Sequence, residues 1–138
     1  SRGASPGNRF EPGKKPMSTM APTIIFDENN ELFLITGSPG GSDIPAAILR
    51  VITGVIDFDL DIGEATMLPR IHKDWPYVGL EHERAVSRDI VRRLKSMGHE
   101  TEYENTIGST QSIHIINGVN YGYADLRRPN ASVSVQSN

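Results

Sequence analysis

Two short segments carry the residue types from which an acyl-transfer site could be built. The first is the pair of adjacent hydroxyl residues Ser18 and Thr19, on a loop bounded by Pro16 and Pro22. Neighbouring hydroxyls on a rigid turn can bind a carboxylate through two donors. The alternative is a turn whose hydroxyls only satisfy nearby backbone groups.

The second segment is the glycine-rich stretch at residues 37–42, which leaves a β-rich run and enters a run with helical spacing. Glycine lets the backbone approach a ligand closely, and consecutive N–H groups at a helix start can converge on an anion. For acyl chemistry the natural role is an oxyanion hole built from the backbone amides of Gly40 and Gly41. The stretch matches neither a P-loop nor a dinucleotide-binding fingerprint. A plain strand-to-helix turn is the alternative.

A third segment contains His72 and Asp74, whose spacing raises the question of a catalytic triad or a metal site. The other histidines, His82, His99 and His114, do not lie at a useful ligand spacing. The sequence also has no cysteine and no Gly-x-Ser-x-Gly nucleophile elbow. We therefore expect His72 to be a packed or surface histidine, and we predict no metal site.

The composition limits the class of protein to which these segments can belong. The chain has 138 residues, which predicts one domain, and 14 Lys and Arg against 17 Asp and Glu give a net charge of −3. A mildly acidic chain is a poor candidate for nucleic-acid binding, which depends on cationic contacts with phosphates. No apolar run approaches the roughly 18 residues of a membrane span. We divide the chain into an irregular arm at residues 1–16, a folded part at 17–128 and a polar tail at 129–138.

The hydrophobic spacing predicts strands near both ends of the folded part and helices between them. The first two strands form a hairpin that we expect to be buried on both faces, because both are nearly continuous in apolar residues. Caps are predicted at Ser42 or Asp43, at Asp61 with Glu64, and at Ser87. Since several strands are neighbours in sequence, antiparallel pairing is favoured. The predicted strands are 23–26, 32–35, 101–103, 112–116 and 121–124, and the predicted helices are 44–55, 62–68 and 88–97.

Five stretches, in this order, resemble the C-terminal part of the small subunit of γ-glutamyltransferases, also called glutathione hydrolases. The likeness extends from about residue 8 to residue 128. It implies an α+β fold that is part of the αββα sandwich of N-terminal-nucleophile hydrolases, with a mostly antiparallel sheet and covering helices. The matching stretches are residues 12–24, 36–42, 64–66 with 69–72, 108–113 and 125–127.

The resemblance also implies a mechanism. In such enzymes a precursor cleaves itself, and the new N-terminal threonine takes a γ-glutamyl group from glutathione or a similar compound. Water, an amino acid or a peptide then accepts that group. By the resemblance, Ser18 and Thr19 bind the α-carboxylate of the substrate, with Thr19 replacing the commoner serine, and the amides of Gly40 and Gly41 form the oxyanion hole. No cofactor is implied, and the implied location is periplasmic or extracellular.

The position of the nucleophile departs from the family pattern. The family's threonine lies several dozen residues before the paired hydroxyls, whereas seventeen residues precede Ser18 here, and the sequence after Ser1 does not match the family's start. We therefore expect this chain alone not to be a competent enzyme. Its implied partners are a large subunit and the N-terminal part of the small subunit. Two alternatives remain: a part of a related acylase or capsule-polymer depolymerase, and a non-catalytic assembly domain.

Overall fold

Two sheets and three helices form the fold in the computed structural model, which describes residues 9–74 and 79–136. The helices are α1 (Ile44–Asp57), α2 (Ile62–Met67) and α3 (Arg88–Ser96), and a 3-10 turn at Gly41–Asp43 leads into α1. The strands are β1 (Thr23–Phe26), β2 (Leu32–Gly37), β3 (Ile71–His72), β4 (Gly79–His82), β5 (Glu100–Tyr103), β6 (Gln111–Ile116) and β7 (Val119–Ala124).

The larger sheet has the strand order β1-β2-β6-β7 and is antiparallel throughout. Its register pairs Thr23 with Thr36, Thr36 with Ser112, and Ser112 with Tyr123. The segments that enter β1 and β6 and those that leave β2 and β7 therefore all lie at one end of the sheet. Four of the five stretches that carry the family resemblance meet at this end.

Helices α1 and α2 cover one face of this sheet and form the core with it. The core cluster consists of Leu34 from β2, Val51 and Val55 from α1, and Ile62 and Ala65 at α2. Helix α1 continues through Gly54. Helices α1 and α2 approach each other closely at this residue: a Cβ atom added to Gly54 would lie only 2.9 Å from the Cβ atom of Ala65.

The predicted capping box at the start of α2 is confirmed. The Asp61 side chain accepts a hydrogen bond from the Glu64 N–H at 2.8 Å, and the Glu64 side chain accepts one from the Asp61 N–H at 3.4 Å. The cap of α3 is confirmed as well, since the Ser87 hydroxyl oxygen accepts from the Ile90 N–H at 3.3 Å. These local signals therefore predicted two helix starts correctly.

Two expectations about the strands need correction. The hairpin is not buried on both faces, because Ile24 and Phe26 of β1 are 60% and 55% exposed. The reason is that alternate residues of a strand face opposite sides, and the helices pack on only one of them. The hydrophobic pattern also did not indicate β3 and β4, which join β5 in a smaller sheet whose β4–β5 pair is parallel. No helix in the described ranges is long and apolar enough to cross a membrane.

Candidate active site

The glycine loop at the end of β2 has a backbone that only glycine adopts without strain. Gly40 has a φ of 140° and Gly41 a φ of 62°. The Gly40 carbonyl accepts a hydrogen bond from the Asp43 N–H at 3.2 Å, and the Gly41 carbonyl accepts one from the Ile44 N–H. In the hydrogen bonds that close the turn, Gly40 and Gly41 thus act as acceptors through their carbonyl oxygens. The first N–H groups of a helix have no partner within it, so they are available to an anion.

A second loop holds the glycine loop in place. The Ser38 hydroxyl donates to the Pro39 carbonyl at 2.7 Å and accepts from the Ser109 N–H at 2.9 Å. A Cβ atom at Gly40 would lie 3.2 Å from the Cα of Gly108, which itself has a φ of 65°. The two loops therefore pack backbone against backbone, and a side chain at position 40 would push them apart.

Ser18 and Thr19 lie in the irregular segment that enters β1. Ser18 is exposed and its hydroxyl oxygen accepts from the Met20 N–H at 3.2 Å, while Thr19 is partly exposed. This contact is the local backbone role that the sequence offered as an alternative, although it leaves the hydroxyl proton free to donate. The segment lies at the same end of the sheet as Gly40 and Gly41. Among the described residues, the hydrogen bonds of Ser18 do not reach the glycine loop.

Behind these loops lies a buried network of two arginines and two carboxylates. Arg70 is 1% exposed and donates to Asp125 Oδ2 at 2.8 Å. Arg127 binds Glu83 with two hydrogen bonds of 2.7 Å and donates to Asp125 Oδ1 at 3.2 Å. Arg70 also reaches the Ile107 carbonyl at 2.9 Å. The network therefore ties the second loop to the strand ends.

The two carboxylates of this network are held in their charged form. Burial would raise the pKa of Glu83, but hydrogen bonds from Arg127 and from the N–H groups of Arg70 and Ile107 outweigh it, so the pKa is lowered. Burial acts in the same way on Asp125, where the N–H groups of Arg127 and Thr110 and the charge of Arg70 lower the pKa. The network is a set of closely paired charges.

His72 is packed, as expected, and its surroundings are acidic. Its Nε2 atom lies 3.6 Å from Asp43 Oδ1 and 3.6 Å from Asp74 Oδ1. Asp43 was a candidate cap for α1, but its side chain makes no capping hydrogen bond. Glu81 completes the cluster from β4. The sequence placed Asp74 beside His72, but it gave no sign of Asp43 and Glu81, which are distant from His72 along the chain.

Comparison with known proteins decides the family. The sequence model described as Gamma-glutamyltranspeptidase matches residues 2–135. The chain belongs to this family. It is 38% identical over 121 residues to the glutathione hydrolase proenzyme of Escherichia coli, covering 87% of this chain and 21% of that protein. It is 34% identical over 137 residues to the proenzyme of Bacillus subtilis, covering 96% and 23%. The chain thus spans about a fifth of the length of these relatives.

Solved structures agree with this membership. A mutant γ-glutamyltranspeptidase of Helicobacter pylori superimposes with a TM-score of 0.83 at 36% identity, covering 91% of this chain and 69% of that one. The α+β fold of an N-terminal-nucleophile hydrolase is therefore confirmed. The Bacillus anthracis transpeptidase CapD (TM-score 0.74, 21% identity) and a Bacillus halodurans cephalosporin acylase (TM-score 0.73, 23% identity) share the fold alone.

The buried network explains why several stretches resemble the γ-glutamyltranspeptidase family together. Arg70, Thr110, Asp125 and Arg127 come from three of those stretches, and Glu83 joins them from outside. They are brought together as a structural support of the loops. In this member of the γ-glutamyltranspeptidase family, the motifs that are easiest to recognise therefore include residues that contact one another inside the fold.

Proposed function

We propose that this chain supplies the substrate-carboxylate and oxyanion part of a γ-glutamyltransferase active site. The reaction transfers a γ-glutamyl group from glutathione or a similar compound to water, an amino acid or a peptide. The threonine nucleophile is supplied from outside this chain. The observation that carries the proposal is the positive φ of Gly40 and Gly41 at a helix start, within a chain of this family.

The glycine amides fit an oxyanion. When an acyl group is attacked, negative charge develops on its carbonyl oxygen, and preorganised N–H donors stabilise it. Gly40 and Gly41 lie at the start of a 3-10 turn. In the hydrogen bonds that close this turn, the two glycines take part through their carbonyl oxygens and not through their N–H groups. Because the second loop and the buried network hold this turn, the donors need not reorganise during the reaction.

The paired hydroxyls fit the other end of the substrate. Ser18 and Thr19 each offer one O–H donor, and two donors side by side match the two oxygens of an α-carboxylate. They precede β1, whose first residue Thr23 pairs with Thr36 beside the glycine loop. This register supports a site in which one segment binds the carboxylate and the other the γ-carbonyl oxygen.

The partners in this proposal are the remaining parts of a processed precursor. The similar proteins of Escherichia coli and Bacillus subtilis are named proenzymes, and this chain matches about a fifth of each. We propose a large subunit and the N-terminal part of the small subunit as the two partners. A periplasmic or extracellular location is proposed on the family resemblance alone.

The test measures hydrolysis of a γ-glutamyl anilide by the native assembly and by the purified 138-residue chain. We expect turnover by the assembly and none by the chain alone. In the assembly, Ser18→Ala and Thr19→Val each remove a hydrogen bond to a charged group, so KM should rise roughly tenfold to a hundredfold. Ser96→Ala, at an exposed position on α3, is the matched control and should leave KM unchanged.

Each outcome separates the alternatives. Robust turnover by the chain alone would refute the external nucleophile. An inactive assembly that lacks a segment beginning with threonine, seen by intact mass, would favour the assembly-domain alternative. An assembly that cleaves poly-γ-glutamate or a side-chain amide, but not the γ-glutamyl anilide, would favour a depolymerase or acylase.

A further inference from the structure

The cluster around His72 draws side chains from three different elements. Asp43 ends the 3-10 turn before α1, His72 belongs to β3 and Glu81 to β4. One ligand atom from each of the three lies within 4.8 Å of the others. His72 and Glu81 are paired neighbours in the smaller sheet, so their side chains stand on the same face of it. The cluster shares no residue with the proposed substrate site.

The imidazole of His72 points a polar atom into this cluster without a hydrogen-bond partner. The side chain is 10% exposed, and Nε2 is a fully buried atom with no hydrogen bond among the described residues. Its nearest acceptors are carboxylate oxygens of Asp43 and Asp74, both at 3.6 Å. That separation is too long for a hydrogen bond. A buried polar atom left unsatisfied destabilises the fold unless something else contacts it.

The spacing fits a bound transition-metal ion. Zinc lies about 2.0–2.1 Å from imidazole nitrogen and carboxylate oxygen, so two ligands of a tetrahedral site are about 3.4 Å apart. The separation of 3.6 Å between His72 Nε2 and Asp43 Oδ1 is close to that edge. Imidazole also favours zinc over Ca²⁺ and Mg²⁺, which prefer ligand sets made of oxygen alone.

The charge around the cluster also favours a cation. Asp43 and Asp74 each place a carboxylate oxygen 3.6 Å from His72 Nε2, and Glu81 adds a third carboxyl group to the cluster. A divalent ion would offset this negative charge and would also satisfy Nε2.

We propose that Asp43, His72 and Glu81 bind one Zn²⁺ ion, which fastens the start of α1 to the smaller sheet. Asp74, also 3.6 Å from His72 Nε2, is the nearest further carboxylate to the imidazole. The ion has a structural role and takes no part in the proposed γ-glutamyl transfer. Since the Asp43 N–H donates to the Gly40 carbonyl, the ion also steadies the turn that carries the glycine amides.

The test is a zinc chloride titration of the protein, together with any subunit that accompanies it, after chelator treatment and dialysis. Calorimetry and competition with a chromophoric chelator measure affinity and stoichiometry, and cobalt chloride reports coordination through its visible absorption. We expect one Zn²⁺ per chain. His72→Ala should weaken binding at least about 10- to 100-fold, the loss typical even of residues that only orient metal ligands. His99→Ala, a histidine outside the cluster, is the matched control.

Two further variants keep the result decisive if His72→Ala does not fold. Asp43→Asn and Glu81→Gln preserve shape and should each weaken Zn²⁺ binding by a similar factor, without changing the far-ultraviolet circular dichroism. The proposal is overturned if the chain binds less than one equivalent, or if these variants bind Zn²⁺ as tightly as the parent. It is also overturned if excess Ca²⁺ displaces the ion, because the imidazole would then contribute nothing. No binding at all would also overturn it.

Discussion

Gly40 is the residue at which backbone conformation and proposed chemistry depend on each other most directly. We predict that Gly40→Ala lowers kcat of the assembled enzyme about 10²- to 10³-fold, the usual effect of losing one oxyanion donor. The cause is that a φ of 140° is unfavourable for alanine, and the new Cβ would lie 3.2 Å from the Cα of Gly108. The strain should also cost about 1–3 kcal/mol of unfolding free energy. Both are measured, by γ-glutamyl anilide kinetics and by denaturant unfolding.

Gly37→Ala provides the control for this prediction. Gly37 is the last residue of β2, it has no positive φ, and a Cβ atom added to it would meet nothing within 4 Å. Its substitution should leave both kcat and stability nearly unchanged. If Gly37→Ala lowered kcat and stability as much as Gly40→Ala does, any substitution in the loop would be harmful. The oxyanion assignment of Gly40 would then lose its support.

Glu83 makes the stability of the protein sensitive to acid. Its pKa and that of Asp125 are lowered in the folded state from ordinary values of 4.5 and 3.8. A lowered folded-state pKa contributes stability above the unfolded-state pKa, and this contribution is lost as the pH falls through the folded-state value. We predict a free energy of unfolding that is constant near neutrality and decreases below about pH 5. Urea unfolding between pH 7 and pH 3 measures it.

The variant Glu83→Gln tests the origin of this acid sensitivity. It removes the carboxylate that Arg127 binds with two hydrogen bonds and leaves only the longer contact with Asp125. We therefore expect a loss of up to about 3–5 kcal/mol at neutral pH, the range found for broken buried pairs. The decrease toward acid pH should then become shallower, because one of the two groups no longer titrates. Glu28→Gln, at an exposed position, should change neither property. An unchanged acid slope in Glu83→Gln would contradict the assignment.

At the scale of elements, helix α1 illustrates what the sequence could and could not predict. The apolar spacing predicted its extent and its buried face, and Pro45 fits its first turn. The sequence also offered Ser42 or Asp43 as its cap. Asp43 does occupy the N-cap position, but its side chain makes no capping hydrogen bond and lies 3.6 Å from His72 Nε2 instead. A capping preference is a local energy of about 1 kcal/mol, and here a partner from β3 determined the orientation. The candidate metal cluster escaped prediction for the same reason.

The contact between α1 and α2 gives a prediction at this scale. Alanine is about 1 kcal/mol better than glycine within a helix, yet we predict that Gly54→Ala is destabilising. Its Cβ would lie 2.9 Å from Ala65 Cβ, and such overpacking typically costs about 1–3 kcal/mol. The double variant Gly54→Ala with Ala65→Gly removes the 2.9 Å contact and leaves only the 3.3 Å approach to the Cα of residue 65. A double-mutant cycle by urea unfolding should therefore show favourable coupling. If the changes in unfolding free energy of the two single variants were additive, α1 and α2 would be able to move apart and accommodate the new Cβ atom, and the prediction would be wrong.

Two strands of the smaller sheet, β3 and β4, could not be predicted from the hydrophobic pattern. Strand β3 has two residues and β4 has four, and β4 contributes buried Glu81 and is followed directly by buried Glu83. Buried carboxylates resemble surface residues in a hydrophobicity pattern, so neither strand could be recognised. Their burial is explained by Arg127 and by the His72 cluster, which are distant in sequence. Only the folded chain brings these partners together.

At the scale of the whole molecule, one face of the larger sheet remains apolar and uncovered in the described chain. The register places Ile24, Ile35 and Ile113 directly opposite one another across β1, β2 and β6. Opposed residues in antiparallel strands share a face, and Ile24 and Ile113 are both exposed. The continuous apolar character of the hairpin therefore predicted burial that this chain does not provide by itself. In an αββα sandwich the second sheet packs on such a face.

We predict that this isoleucine row is the surface on which the rest of the enzyme assembles. The isolated chain should self-associate with increasing concentration, because exposed apolar rows and open strand edges attract one another. Ile24→Lys should reduce that self-association in sedimentation velocity and also prevent recovery of the active assembly. Ile90→Lys, at a similarly exposed isoleucine on α3, is the matched control and should do neither. If Ile24→Lys joined an active assembly as the parent chain does, the row could not lie at the subunit interface, because a buried lysine charge without a partner would prevent close packing there.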